Sequence, residues 1–228
     1  MPSLSAIREA AREALSLVFP VWCIGCDEPG LALCTGCADQ LSPAPVHRRI
    51  GQTDVVSALT FDGVAARAVR ALKEDGCTGL ARPLGEALRR AVDLLLEVRG
   101  LGADAVEIAV VTVPSTRAAL RRRGYVPVEL LARRAGFTPQ RSLRLQRSMI
   151  DQRGLGREAR RDNVAGAFRA THLSGRPVVI VDDVVTTGAT IVEAAHVLSD
   201  AGAVVIGAAT VAATARVGGT SFPTATPA

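Results

Sequence analysis

Two adjacent acids and a cluster of hydroxyl residues carry the clearest chemistry in this sequence. Asp182 and Asp183 follow the apolar run Val178–Val181, and Val184, Val185, Thr186, Thr187, Gly188, Ala189 and Thr190 follow them. Helical periodicity then begins, in IVEAAHVLSDAG. A buried strand, a turn and a helix start put these residues at the carboxyl edge of a parallel sheet, where open α/β sheets take ligands. Gly188 permits a tight turn and a close approach of backbone N–H groups. The helix start offers unpaired donors and a partial positive charge, which suit a phosphate. The stretch lacks G-x-x-x-x-G-K-[ST] and G-x-G-x-x-G, so it is neither a P-loop nor a dinucleotide fingerprint. Paired acids before a phosphate cradle suit a sugar phosphate: the acids accept from ring hydroxyls and the loop takes the phosphate. The plain alternative is a buried strand with an acidic turn.

A second constellation lies near the N-terminus. Cys23, Cys26, Cys34 and Cys37 form C-x2-C-x7-C-x2-C, and Gly25, Pro29 and Gly30 allow sharp turns between them. Four thiolates at this spacing suit a closed, structural Zn²⁺ site. Two disulfides or inert thiols are the alternative, and a reducing compartment disfavours the former. Cys77 stands alone and reads as an ordinary small side chain.

Charge is concentrated in a third region. Arg117 to Arg161 contains thirteen arginines against Glu129, Asp151 and Glu158, an excess of ten, while the whole chain carries only +5. The guanidinium fork matches phosphate oxygens. Such a segment fits a pyrophosphate, a nucleic-acid backbone such as single-stranded DNA, or merely a solvated face. Aromatic residues make up only 3% of the chain, which argues against a base-stacking platform. No apolar run approaches the ~18 residues of a membrane helix, so no membrane insertion is expected. Glu9 and Glu13 interrupt the first segment, and no signal-peptide core is visible, so a cytoplasmic setting is expected.

The elements that position these groups alternate. A helical period runs over 1–19, and residues 38–53 read as a linker. Val55–Phe61 reads as a strand, Val64–Lys73 and Leu84–Val98 as helices, and Ile108–Val113 as a strand ending at Pro114. A loop from Ser115 to Gly124 leads to a helix around Val126–Ala135. Leu143–Leu145 is extended, Val164–Phe168 and Val204–Val211 read as strands, and 218–228 has the composition of a loose tail. His196 falls mid-helix in register with Val192 and reads as core. This alternation specifies a mostly parallel α/β sheet.

The stretch VVIVDDVVTTGAT resembles the phosphoribosyl pyrophosphate motif of type I phosphoribosyltransferases. Four further features stand with it in order: the cysteine knuckle; FDGVAARAVRALKEDG; VPSTRAALRRRGYVPVELLA; and a segment carrying Gln152, Leu155, Arg161 and Asn163. Together they resemble the ComF family, which is linked with bacterial DNA uptake. The chain departs from that family in reading V-P-S at the first loop and Tyr125-Val126 after Arg-Gly. The resemblance implies a phosphoribosyltransferase domain over 54–213, a zinc-knuckle module over 20–45, an N-terminal helix over 1–19 and a flexible tail over 214–228. It implies that Asp182 and Asp183 hold the ribose hydroxyls as catalytic acids, with Val184 to Thr190 around the 5′-phosphate. Ser115, Thr116, Arg117, Arg121, Arg123 and Lys73 would bind the rest of the substrate. Phosphoribosyl pyrophosphate with Mg²⁺ is the implied ligand, a mobile loop within Leu145–Arg161 its cover, and a competence helicase an implied partner.

Overall fold

The computed structural model describes residues 21–102, 107–146 and 166–215. The helix expected over 1–19, the tail over 218–228, and Gln152, Leu155, Arg161 and Asn163 lie outside them. So does nearly all of the expected cover loop.

In chain order the elements are α1 (Thr35–Asp39), β1 (Val46–Ile50), β2 (Thr53–Thr60), α2 (Gly63–Glu74), α3 (Ala81–Val98) and β3 (Ala109–Thr112). There follow α4 (Arg117–Arg123), α5 (Pro127–Arg134), β4 (Pro139–Gln140), β5 (Leu143–Leu145) and β6 (Phe168–Ala170). The last three are β7 (Pro177–Val185), α6 (Ala189–Asp200) and β8 (Val204–Ala213). Six strands form one sheet in the order β1-β2-β8-β7-β3-β4. β1 is antiparallel to β2, and every other neighbouring pair is parallel. β5 and β6 make a separate antiparallel ribbon.

Both faces of the sheet are covered at its centre, which explains why β3, β7 and β8 read as apolar runs. Successive side chains point to opposite faces. Val179 and Val181 enter one core, which α2, α3 and α5 complete. Val178 and Ile180 enter the other, which α6 and the ribbon complete. In α3 the residues Leu84, Leu88, Ala91, Val92 and Leu95 form one fully buried stripe. Gly85 lies on the same helix where α5 crosses it; a Cβ there would sit 2.6 Å from the Arg134 Cβ.

The cysteine knuckle packs onto this body. Cys23, Cys37 and Leu41 share a buried cluster with Val64 and Ala68 of α2. The Arg67 guanidinium donates to the Gly25 carbonyl at 2.5 Å.

Several expectations are corrected. The linker expected over 38–53 contains β1, which pairs with β2 from Val46↔Ser57 to Ile50↔Thr53. The loop expected over Ser115–Gly124 is mostly α4. Thr116 caps it by accepting from Ala119 N–H at 3.2 Å, and Gly124 at φ +77° ends it. β7 does not stop at Val181 but runs through both acids to Val185. The strand expected over 164–168 starts, in its described part, at Phe168. His196 is not core: its side chain is 68% exposed and lies 3.5 Å from Asp200 one turn on.

Candidate functional site

Asp182 and Asp183 sit in the last turns of β7's pairing with β8, opposite Thr210 and just before Ala212. β7 ends two residues later, and α6 begins at Ala189. Gly188 joins them in the left-handed region, at φ +82°. Any side chain there would force Ile50 to shift, since a Cβ would lie 2.6 Å from Ile50 Cδ1. Ala189 N–H donates to Thr187 Oγ1 at 3.3 Å. Thr186 is exposed, whereas Thr187, Ala189 and Thr190 are half-buried. Val185 is buried in the second core, so only its backbone faces the turn.

The two acids differ in their partners. Lys73 Nζ, from the last turn of α2, lies 3.0 Å from both oxygens of Asp183. Asp182 has no such partner among the described residues; its Oδ1 accepts the Asp183 N–H at 2.8 Å. Burial, and then the charge of Asp183, push Asp182 up to about 8. The single backbone hydrogen bond and the more distant Lys73 only partly oppose this. These carboxylates therefore form an unequal pair: one ion-paired, one poised to take a hydroxyl or a cation. Hard oxygen donors of this kind suit Mg²⁺.

The next strand brings the second loop to the same edge. β3 runs parallel to β7 with Thr112 opposite Val181, and Val113 N–H donates to the Val181 carbonyl at 3.1 Å. Ser115 and Thr116 thus emerge beside the acids. Arg117 and Arg121 are exposed along α4 and have no ion pair among the described residues. Arg123 is half-buried, and its Nε is enclosed without a hydrogen-bond partner among the described residues. The Tyr125 hydroxyl donates to the Leu72 carbonyl, tying the chain after α4 to the residue before Lys73. The structure thereby joins Lys73, Asp182, Asp183 and the turn at Gly188, with Ser115 and Thr116 alongside; the outer arginines of α4 point to solvent.

Two contributors were not singled out from the sequence. Ile50 buttresses the turn, but it belongs to a strand that had read as linker. Tyr125 stood out only as a departure from a family pattern. Its bond to α2 spans residues too distant for any spacing rule.

The four cysteine sulfurs lie within 4.8 Å of one another. Cys26 and Cys34 Sγ are 3.6 Å apart, close to the ~3.8 Å edge of a tetrahedron with Zn–S bonds of about 2.3 Å. That separation is far beyond a disulfide bond, and all four thiols are free. Cys34 and Gly25 N–H groups each donate to Cys23 Sγ at 3.4 Å. The Cys34 donor chiefly holds that thiol down at about 6. Cys37, buried among its neighbours, is pushed up to about 12. The cluster fits a zinc knuckle, because a metal ion supplies the charge that lets all four ionise together.

The family model described as a phosphoribosyl transferase domain matches residues 118–223. That span holds both acids and the turn, and it excludes Lys73 and the cysteines. Together with the mostly parallel sheet, it supports placement in the type I phosphoribosyltransferase superfamily, whose fold this architecture fits. No curated protein matches the chain. Among the described residues, no helix is long and apolar enough to cross a membrane.

Proposed function

We propose that this chain binds phosphoribosyl pyrophosphate with Mg²⁺ and transfers its ribosyl 5-phosphate to an acceptor. The observation that carries this reading is the acid pair at the end of β7, set directly before a left-handed glycine and a helix start. Asp182 and Asp183 accept hydrogen bonds from the ribose 2′- and 3′-hydroxyls. Backbone N–H groups at the start of α6, with Thr186, Thr187 and Thr190, hold the 5′-phosphate. Ser115, Thr116 and Arg123 face the pyrophosphate, and Arg117 and Arg121 add positive potential. Asp183 also stabilises the positive charge that develops on the anomeric carbon. Asp182 and Asp183 would supply oxygen donors to a Mg²⁺ bound with the pyrophosphate, and the ion would offset the charge of the leaving group. The knuckle is a structural zinc module over 20–45, and a cytoplasmic setting keeps its thiols reduced.

Calorimetry with phosphoribosyl pyrophosphate and Mg²⁺ tests the reading. Micromolar binding by the wild type, lost in Asp182→Ala/Asp183→Ala, is expected; no wild-type binding refutes it.

A second reading makes the chain a ComF-like accessory protein of DNA uptake, without turnover, working with a helicase-type partner. One observation favours it. Arg144 and Arg169 lie directly opposite each other on the exposed face of the β5–β6 ribbon. Like charges so placed repel, and a phosphate backbone relieves them. The same titrations with single-stranded DNA across a salt series separate the readings, since backbone binding weakens steeply with salt.

A further inference from the structure

Lys73 and Asp183 are 110 residues apart in sequence, yet they make a close, two-oxygen contact. The side chains are 33% and 13% exposed, so the pair is largely withdrawn from water. Its attraction is therefore less screened than that of a surface salt bridge. The lysine is also held from behind. Leu72, its neighbour, is fully buried, and its carbonyl accepts from Tyr125. Ala71 carries the helix end, its carbonyl accepting from Asp75 at 3.1 Å and Cys77 at 3.2 Å. These contacts fix the backbone that carries Lys73, so its ammonium is presented to the acid while its stem keeps its rotamer freedom. Asp183 has no other ion-pair partner among the described residues.

Both Asp183 oxygens are engaged by this one cation, which stands where a divalent metal would seek a carboxylate. Resting on the sugar-phosphate reading above, we propose that Lys73 is a built-in counter-cation of the acid pair. It holds Asp183 while the ligand is absent, and so makes capture of a divalent metal depend on the sugar diphosphate. The arriving diphosphate supplies phosphate oxygens, to which the flexible lysine stem can turn its three donors. The acid is then released to the ribose hydroxyls and the metal. A lysine that served only to staple α2 to β7 would affect stability but not metal affinity.

The test uses the full, zinc-loaded chain and Mn²⁺ as probe, with no sugar phosphate present. Electron paramagnetic resonance of free Mn²⁺ reads the affinity. Removing one adjacent positive charge is expected to tighten Mn²⁺ binding by about tenfold or more in Lys73→Met and Lys73→Gln. Lys73→Arg stays as weak as wild type, and Lys73→Met/Asp183→Asn loses the gain. Unchanged affinity in both neutral variants, or a gain that survives in the double variant, overturns the inference. The wild type gives an independent reading through ¹⁵N-lysine resonance of the Lys73 ammonium. Mn²⁺ alone leaves that signal unperturbed, and addition of phosphoribosyl pyrophosphate shifts it; perturbation by Mn²⁺ alone overturns the inference. Failure here is distinct from failure of the functional reading, because the Mn²⁺ titration contains no sugar phosphate and the calorimetry of the wild type stands by itself.

Discussion

Gly188→Ala isolates the turn on which the candidate site depends. Two costs follow from the geometry. The backbone sits at φ +82°, where an L side chain costs about 1–2 kcal/mol. The new Cβ would also lie 2.6 Å from Ile50 Cδ1 and 2.7 Å from Ile50 Cγ2. Cδ1 and Cγ2 lie on different branches of the side chain, so a turn about χ2, which moves only Cδ1, does not relieve the clash. Overpacking of this kind costs about 1–3 kcal/mol. Ile50 is only half-buried, which favours the lower end of that range. The total expected loss is about 2–4 kcal/mol, read as a lower urea midpoint at constant slope. Ile50→Ala in the same chain separates the two contributions. Gly188→Ala/Ile50→Ala regains the steric part and retains about 1–2 kcal/mol of backbone strain. A Gly188→Ala variant within about 0.5 kcal/mol of wild type refutes the reasoning. So does a double variant with no recovery.

Two further outcomes follow. One zinc per chain is expected by metal analysis, with none in Cys26→Ala/Cys34→Ala. Chelation lowers the melting temperature by about 2–4 °C for each kcal/mol of zinc stabilisation lost, and a chelator-insensitive melt argues against the knuckle. Asp182 titrates at about 8 in the folded chain, above its unfolded range, so the folded state binds the extra proton. The unliganded protein therefore loses stability as pH rises from about 4 to about 8, and Asp182→Asn flattens that slope. A slope unchanged in Asp182→Asn shows that another group is responsible.

The parts of the fold legible in the sequence are those whose local pattern matches their burial. β7 and α6 are examples: an apolar run covered on both faces, then a glycine where any side chain would force Ile50 to shift. β1 was not legible, because Arg48 interrupts the face that Val46 and Ile50 share and His47 and Arg49 make the other face polar. It exists because β2 pairs with it and because Asp54, 6% exposed, draws cations to it. Burial alone would raise Asp54, but hydrogen bonds from His47 and Arg99 outweigh that and hold its carboxyl below the usual range. α4 was hidden for a different reason. RAALRRR has no buried residue, so nothing periodic marks it; only the Thr116 cap and Gly124 define its ends. The acid pair was legible by type and spacing, but its division of labour was not. That asymmetry comes from Lys73 pairing with Asp183 and from the burial of Asp182, neither of which a local pattern reports.

α2 explains how such a distant lysine arrives. It begins where β2 ends, at the carboxyl edge of the sheet, and its twelve residues span about 18 Å. A helix packed down the sheet face would carry its last turn away from that edge. Yet Lys73, in the last turn, meets Asp183 near the carboxyl end of β7. α2 must therefore run across the edge, leaving the face of β2 and β8 to α3. A helix lying across an edge lacks the support a sheet face provides. Here Cys23 and Cys37 pack with Val64 and Ala68 from one side, and Tyr125 bonds to Leu72 from the other. The cysteine knuckle is thus part of the scaffold that places the lysine. Its chemistry and that of the acid pair are linked through one helix, although no family match covers both.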